Sequence, residues 1–223
     1  MTKINTVLLL VLCCFSFPLL FGQDVAKAFI TMPDPYYLSL PSHQRKEMVK
    51  AFYSDSVQAR KNRFMGESVI LQLDTINNFI RIKNSNNGRV DFKVVKSNLS
   101  EAVYYYVLIF TACAPVCDSD FGFYDANWNF KQNLALKKVQ ISDFLNEDAI
   151  NADGQTVESV SSMFDIVFVE LHFPEAGNTL EAVLNSQQFM DNDSFDRLRK
   201  YLNGDKLRYA WKNDVFVKEA CYW

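Results

Sequence analysis

The spacing of apolar residues is helical in the first part of the chain and alternating in the part that follows. After Asp24, a candidate N-cap, apolar residues recur at helical spacing until Pro33 ends the pattern. A second helical pattern, HQRKEMVKAFYSD, follows Ser42, which is a fair N-cap. Its apolar stripe consists of Met48, Val49, Phe52 and Tyr53. Its solvent face is predicted to carry Arg45, Lys46, Glu47 and Lys50.

From Ser68 onward the period is two, which is typical of strands. The segments SVILQL, FIRIK and RVDFKVV follow one another, with the turn NSNNG before the last. The last segment alternates between an apolar set and a charged set, Val90, Phe92 and Val94 against Arg89, Asp91 and Lys93. We therefore predict an antiparallel hairpin with one face in water. The next segment, AVYYYVLIFTAC, has no charged residue, so we expect a central strand that is covered on both faces.

The second half of the chain repeats the mixture of helical and alternating patterns. Residues 119–125 and 128–131 are predicted to pair around the turn DAN, and SDFLNEDA is predicted to form a small helix. The strand FDIVFVELHF, its partner TLEAVLNS, the helix DNDSFDRLRKYLNG and the hairpin of KLRYAW with VFVKEA complete the pattern. The fold class is therefore predicted to be α+β, with antiparallel meander sheets and a few packed helices.

These elements predict a division of the chain at a loop over residues 146–160. Residues 23–145 would form the N-terminal helices and an antiparallel sheet, and residues 161–223 a unit of hairpin, helix and hairpin. Two alternatives stay open at this point. The second unit could be part of the same globular domain, or the two units could be a duplication of one helix-plus-sheet unit.

The first 22 residues have the pattern of a secretory signal peptide. One cation, Lys3, precedes an apolar run from Val7 to Phe21, and Gly22 is a small residue at the expected cleavage point. We therefore expect a periplasmic, cell-surface or secreted protein, with no transmembrane segment in the mature chain. The whole chain has 23 Lys and Arg against 26 Asp and Glu, a net charge of −3. That balance gives no electrostatic reason to bind nucleic acid.

Three of the five cysteines lie outside the predicted signal peptide, namely Cys113, Cys117 and Cys221. All three pairings are possible in an exported protein. We favour a disulfide between Cys113 and Cys117, because Pro115 bends the chain between them. The spacing does not match the C-x-x-C motif of redox sites. A zinc site would need more ligands than two histidines and these cysteines supply, so we predict no metal and no cofactor.

The polar residues that follow Cys117 are weak candidates for binding. They are Asp118, Asp120, Asp125 and Trp128. Oxygen ligands at alternate positions could hold calcium, but DANWNF lacks the glycine and glutamate of a calcium loop, so Asx turns are the simpler interpretation. Glu170 and His172 share one face of a predicted strand, but no G-x-S-x-G motif supplies a nucleophile. We therefore predict no catalytic residue.

Several segments together resemble an uncharacterised family of exported proteins, found mainly in Bacteroidales and known only as a domain of unknown function. They are ITMPD (30–34), the helix that begins near Ser42, RKNRFMGES (60–68), TACAPVCDSD (111–120) and FYDANW (123–128). The resemblance is clearest over residues 26–130. It implies a Gram-negative envelope or secreted location and assigns no functional residue.

The function expected from these features is that of a soluble, non-enzymatic envelope protein that binds a partner. The partner would be another envelope protein or a glycan. The alternative is an envelope hydrolase that uses paired carboxylates on a glycan or a peptide, since the separation of carboxylates in space is not visible in a sequence.

Overall fold

The computed structural model describes residues 24–56, 58–131, 135–174 and 177–219. The predicted signal peptide and Cys221 lie outside the described residues. Within these ranges, no helix combines the length and the apolar character that crossing a bilayer requires.

The described residues form five α-helices and three short 3₁₀ helices. The α-helices are α1 (Val25–Thr31), α2 (Ser42–Tyr53), α3 (Glu147–Ala152), α4 (Val157–Ser161) and α5 (Asn192–Arg199). The 3₁₀ helices are Asp34–Tyr36, Ile141–Phe144 and Ser186–Phe189.

In the part of the chain that the structure describes, ten strands form two antiparallel sheets, and in each sheet the order in space follows the order in the chain. The first sheet contains β1 (Arg60–Lys61), β2 (Glu67–Asp74), β3 (Phe79–Ser85), β4 (Gly88–Lys96), β5 (Tyr104–Cys113) and β6 (Cys117–Asp125). The second sheet contains β7 (Val169–His172), β8 (Thr179–Leu184), β9 (Lys206–Lys212) and β10 (Val215–Lys218). The predicted α+β class with antiparallel meanders is confirmed.

The first sheet is the middle layer of the fold. One of its faces packs against α1 and α2 through an apolar cluster that includes Phe29, Met48 and Phe92. Its other face packs against the second sheet, in a cluster that includes Phe123 and Leu171. This second cluster contains residues of both predicted units, for example Phe79 and Phe216. Strand β5 lies between β4 and β6 and is buried on both faces, as its uncharged sequence predicts.

The helix starts follow the predicted capping chemistry with one exception. The Asp24 carboxylate accepts a hydrogen bond from the Ala26 N–H, and Asp191 caps α5 by accepting from the Ser194 N–H. Ser42, however, is the first residue of α2, and Pro41 occupies the cap position. The Ser42 hydroxyl instead donates to the Ile30 carbonyl, which ties α2 to α1.

Arg45 does not face water as the helical pattern predicts. Its side chain is fully buried and donates to the carbonyl oxygens of Leu40, at 2.6 Å, and Met32. Asp34 lies 3.3 Å from the guanidinium and balances its charge. Arg45 therefore provides hydrogen-bond donors for carbonyls that the turns after α1 leave unpaired. Helical periodicity cannot reveal this role, because the partners of Arg45 lie outside α2.

The prediction that the charged face of β4 is exposed to water is also wrong. Asp91 and Lys93 are each only 1% exposed, because the second sheet covers the face on which they lie. Alternation correctly separates the two faces of β4. It cannot show that the charged face is covered by residues that follow about 80 positions later in the chain.

Three segment predictions need correction. Residues 146–160, predicted as a loop, contain α3 and the start of α4. The ten-residue strand FDIVFVELHF is shortened to the four residues of β7. Residues 128–131 contribute a single bridge, between Phe130 and Tyr124, because β6 pairs mainly with β5.

The buried guanidinium gives a test of the packing of α1 against α2. We expect Arg45→Met to lower the free energy of unfolding by about 3 kcal/mol, because the carbonyls of Leu40 and Met32 lose their donors while the apolar volume is kept. Urea denaturation measures this change. The control is Lys46→Met at the exposed neighbouring position, which should change stability by less than about 0.5 kcal/mol. Equal effects of the two substitutions would contradict the role given to Arg45.

Candidate functional site

The segment TACAPVCDSD forms the turn between β5 and β6. Cys113 and Cys117 face each other across the two strands, and their sulfur atoms lie 1.98 Å apart, which is bonding distance. The peptide bond between Ala114 and Pro115 is cis, and the Ala114 N–H donates to the Val116 carbonyl. The two cysteines therefore hold the end of a hairpin, in the geometry that the favoured pairing requires.

Asp118 and Ser119 lie at the joint between the two sheets. The Asp118 carboxylate accepts a hydrogen bond from the Val169 N–H at 2.9 Å, and the Ser119 hydroxyl accepts one from the Leu171 N–H at 2.9 Å. Both donors belong to β7, which has β8 on its other side. The carboxylate of Asp118, predicted as a weak binding candidate, is thus already hydrogen-bonded to the protein's own backbone.

Two arginines bind the carbonyl groups on the same edge of β7. Arg81 of β3 donates to the Phe173 carbonyl at 2.9 Å, and Arg89 of β4 lies 3.5 Å from the Leu171 carbonyl. Asp118, Ser119, Arg81 and Arg89 together form what we call the polar seam, in which side chains of the first sheet pair with the backbone edge of β7. The seam takes the place of a strand partner for β7.

Asp91 holds the two arginines of the seam in place. It receives a bidentate pair of hydrogen bonds from Arg81, at 2.9 and 2.8 Å, and lies 3.4 Å from Arg89. Arg89 also pairs with Glu170 at 2.9 Å. A buried carboxylate needs such partners, because an unpaired charge in this position would be strongly destabilising.

Glu170 and His172 do not act on each other. Glu170 pairs with Arg89, whereas the His172 imidazole lies 3.3 Å from Glu181. Glu181 in turn pairs with Arg208 at 2.8 Å. The two residues that share one face of the predicted strand are therefore engaged by different partners.

Asp125 and Trp128 belong to a turn that closes on itself. The Asp125 carboxylate accepts hydrogen bonds from the backbone N–H groups of Asn127 and Asn129 and pairs with Lys131. Burial tends to raise the pKa of Asp125, but the hydrogen bonds from Asn129 and Lys131 outweigh it and lower the pKa to about 2. This is the Asx turn that the sequence indicates.

Trp128 is buried and stacks on Tyr106, with ring centroids 4.4 Å apart. Its ring is part of the core on the side of α1 and α2, so it has no exposed face to offer a ligand. Among the residues that the structure describes, no group of three or more His, Cys, Asp or Glu side chains is arranged to hold a metal ion.

A cleft of about 970 Å³ runs beside β6. Its apolar lining includes Phe121, Phe123, Leu136, Val139, Val167 and Leu171. Its polar lining includes Asp118, Asp120, Lys131, Lys137 and Lys138. Two of the four sequence candidates, Asp118 and Asp120, therefore lie at this cleft, while Trp128 is outside its lining.

Strand β6 presents an open edge to this cleft. It is the last strand of the first sheet, and no described strand pairs with it over residues 117–122. The Cys117 carbonyl on this side accepts a hydrogen bond from the Asn185 side chain, and the Phe123 carbonyl accepts one from the Lys131 N–H. Between these two points, the outward backbone groups are those of Ser119 and Phe121, because backbone direction alternates along a strand. The Phe121 N–H donates to the Asp120 carboxylate at 3.0 Å, which leaves the Ser119 N–H and the carbonyls of both residues toward the cleft.

Lys137 and Lys138 are cleft residues that the sequence did not single out. Both are exposed, and neither forms an ion pair with a described residue. Lys131, by contrast, is paired with Asp125 at 3.1 Å. The signal in the sequence is the pair of adjacent lysines in LKKVQ, which by itself is indistinguishable from an ordinary solvated segment.

Comparison with known proteins places the chain in a family. A model described as "Protein of unknown function (DUF3256)" matches residues 19–216. The chain belongs to this family. The resemblance to a family of unknown function drawn from residues 26–130 is thus confirmed in its coarser form, over a longer part of the chain. No curated protein matches the sequence significantly.

A solved structure with the same fold as this DUF3256 member is known. It is described as "Structure of a domain of an uncharacterized protein from Porphyromonas gingivalis W83". The TM-score is 0.73 at 18% sequence identity, and the match covers 88% of this chain and 98% of that chain. At this identity the likeness extends to the fold alone.

This family member also buries a lysine between its sheets. The Lys93 ammonium donates to the Asn77 carbonyl at 2.9 Å and lies 5.4 Å from the centre of the Phe173 ring. Burial lowers the pKa of Lys93 to about 8, although the charge of Asp74 acts in the opposite direction. The charge on Lys93 therefore destabilises the folded state at neutral pH. Lys93 is not part of the lining of the cleft.

The lowered pKa of Lys93 predicts how stability changes with pH. Between about pH 8 and pH 10 the unfolded chain binds more protons at this lysine than the folded protein does, so the free energy of unfolding rises with pH. We expect Lys93→Met to remove this rise, so that its stability relative to wild type falls by about 2 kcal/mol from pH 7 to pH 10. Urea denaturation at several pH values measures the difference. The exposed Lys96→Met is the control, and a pH-independent difference for Lys93→Met would contradict the prediction.

Proposed function

We propose that the protein is an exported, non-enzymatic module that binds an extended segment of a partner protein in the cleft beside β6. The observation that carries this proposal is the open edge of β6 alongside an apolar cleft of about 970 Å³. An open strand edge offers backbone donors and acceptors to a peptide, and adjacent apolar pockets accept its side chains.

The charges at the cleft favour an acidic peptide. Lys137 and Lys138 line it without an ion-pair partner among the described residues. The two aspartates in the lining both accept backbone N–H groups, Asp118 from Val169 and Asp120 from Phe121, whereas the two ammonium groups have no such partner among the described residues. A peptide carrying carboxylates between apolar residues would pair with the two lysines and place its apolar side chains on Phe121 and Val139.

Export is supported by two features. The pattern of the first 22 residues is that of a secretory signal peptide. The Cys113 and Cys117 sulfurs lie at bonding distance, and disulfides persist in oxidising compartments outside the cytoplasm. The proposed location is the periplasm or the cell surface.

The proposal is tested by selecting peptides from a displayed random library on the purified protein and measuring their affinity by fluorescence anisotropy. We expect acidic, apolar peptides that bind wild type at least about tenfold more tightly than the variant Lys137→Glu with Lys138→Glu. The matched control reverses two exposed lysines of α2, Lys46→Glu with Lys50→Glu, and should retain wild-type affinity.

Two results would contradict the proposal. Equal affinity of the selected peptides for wild type and for the cleft variant would place their site elsewhere. Cleavage of a bound peptide by wild type would contradict the non-enzymatic part and favour a hydrolase.

A further inference from the structure

The turn between β1 and β2 presents two large apolar side chains to solvent. Phe64 is 68% exposed and Met65 is 91% exposed, and they are adjacent in the segment NRFMG. Leu38, at 55% exposure, lies next to this turn, because the Arg63 N–H donates to the carbonyl of Ser39. We call Leu38, Phe64 and Met65 the apolar tip.

Buried polar contacts fix the shape of the turn. The Asn62 side chain is buried, and its carbonyl oxygen accepts hydrogen bonds from the N–H groups of Phe64 and Gly66. Its amide group donates to the Ser68 hydroxyl and to the Asn84 carbonyl. A Cβ at Gly66 would lie 3.2 Å from the Asn62 amide nitrogen, so the turn is closed tightly around this residue. These hydrogen bonds therefore fix the turn in a conformation that keeps the Phe64 and Met65 side chains in solvent.

The surroundings of the tip are basic. Arg60, Lys61 and Arg63 precede Phe64 within four positions, and all three are exposed. Asp34 lies 3.6 Å from Arg63, and Glu67 is the register partner of Lys61. Asp34 also balances the buried Arg45, so these two carboxylates face four cations and positive charge remains in excess at the base of the tip. This excess favours a negatively charged partner surface.

The size of the tip decides which partner it fits. Three side chains with these exposures offer on the order of 400 Å² of apolar surface. A stable interface between two protein molecules needs about 800 Å² on each side. A lipid bilayer has no such requirement, because it yields to a protruding side chain and each buried apolar group contributes separately.

We propose that the apolar tip inserts Phe64 and Met65 into the surface of an anionic lipid bilayer, with the neighbouring cations at the level of the headgroups. Basic side chains at that level are attracted to anionic lipids while the apolar side chains leave water. This attachment is independent of the cleft beside β6, which is formed by different elements.

Co-sedimentation with lipid vesicles tests the proposal. The protein is recovered after export in a Gram-negative host and its N-terminus is determined, because an uncleaved apolar leader would itself bind lipid. Vesicles of phosphatidylcholine mixed with phosphatidylglycerol are compared with vesicles of phosphatidylcholine alone. The tip variant is Phe64→Ser with Met65→Ser. The control variant, Ile76→Ser with Leu99→Ser, removes two apolar side chains that are 90% and 70% exposed elsewhere.

We expect wild type and the control variant to bind the anionic vesicles equally, and more tightly than the neutral ones. The tip variant should need at least about tenfold more lipid for half-maximal binding. Circular dichroism shows whether each variant is folded, and Phe64→Leu with Met65→Leu should restore binding. Failure of wild type to bind, or equal binding by the tip variant, would overturn the proposal. A wild-type dimer that the tip variant converts to a monomer would instead identify a second copy of the chain as the occupant.

Discussion

The backbone edge of β7 is the constraint on which the arrangement of this fold depends. Strand β7 has β8 on one side and no described strand on the other, yet its free edge is placed against the interior. Buried N–H and C=O groups need partners. The polar seam supplies them from the first sheet, with Asp118 and Ser119 accepting hydrogen bonds and the two arginines donating them. The second sheet can therefore cover the first with the N–H groups of Val169 and Leu171 and the carbonyls of Leu171 and Phe173 paired.

The seam also explains where a partner could bind. Residues that look like binding groups in the sequence are used in the fold: Asp118 holds β7, Asp125 closes a turn, and Trp128 stacks in the core. The outer backbone edge of β6 remains accessible, and so do Lys137 and Lys138 at the cleft beside it. The binding function proposed here therefore depends on the backbone edge of β6 and on two surface lysines, which form no recognisable sequence motif.

Local patterns in the sequence were sufficient to predict much of the fold. The caps at Asp24 and Asp191, the alternation of β4 and the uncharged β5 act over a few residues, so the sequence displays them directly. Arg45, Asp91 and Lys93 could not be placed, because a charged residue on a helix or a strand reads as exposed unless its distant partners are known. The partners of Arg45 lie in the turns before its helix, and Asp91 and Lys93 are buried by the second sheet, which comes later in the chain. The cleft was equally invisible, since its lining combines segments that are far apart in the sequence.

Hydrogen exchange at the Leu171 amide tests the seam most directly. In wild type this N–H donates to the Ser119 hydroxyl and should exchange slowly. In Ser119→Ala the Leu171 amide should exchange at least about tenfold faster, since the loss of a buried hydrogen bond of about 1.4 kcal/mol corresponds to that factor. The Glu170 amide, which faces β8, should keep its wild-type rate. An unchanged rate at Leu171, or an equal acceleration at both amides, would contradict a seam in which side chains pair with the edge of β7.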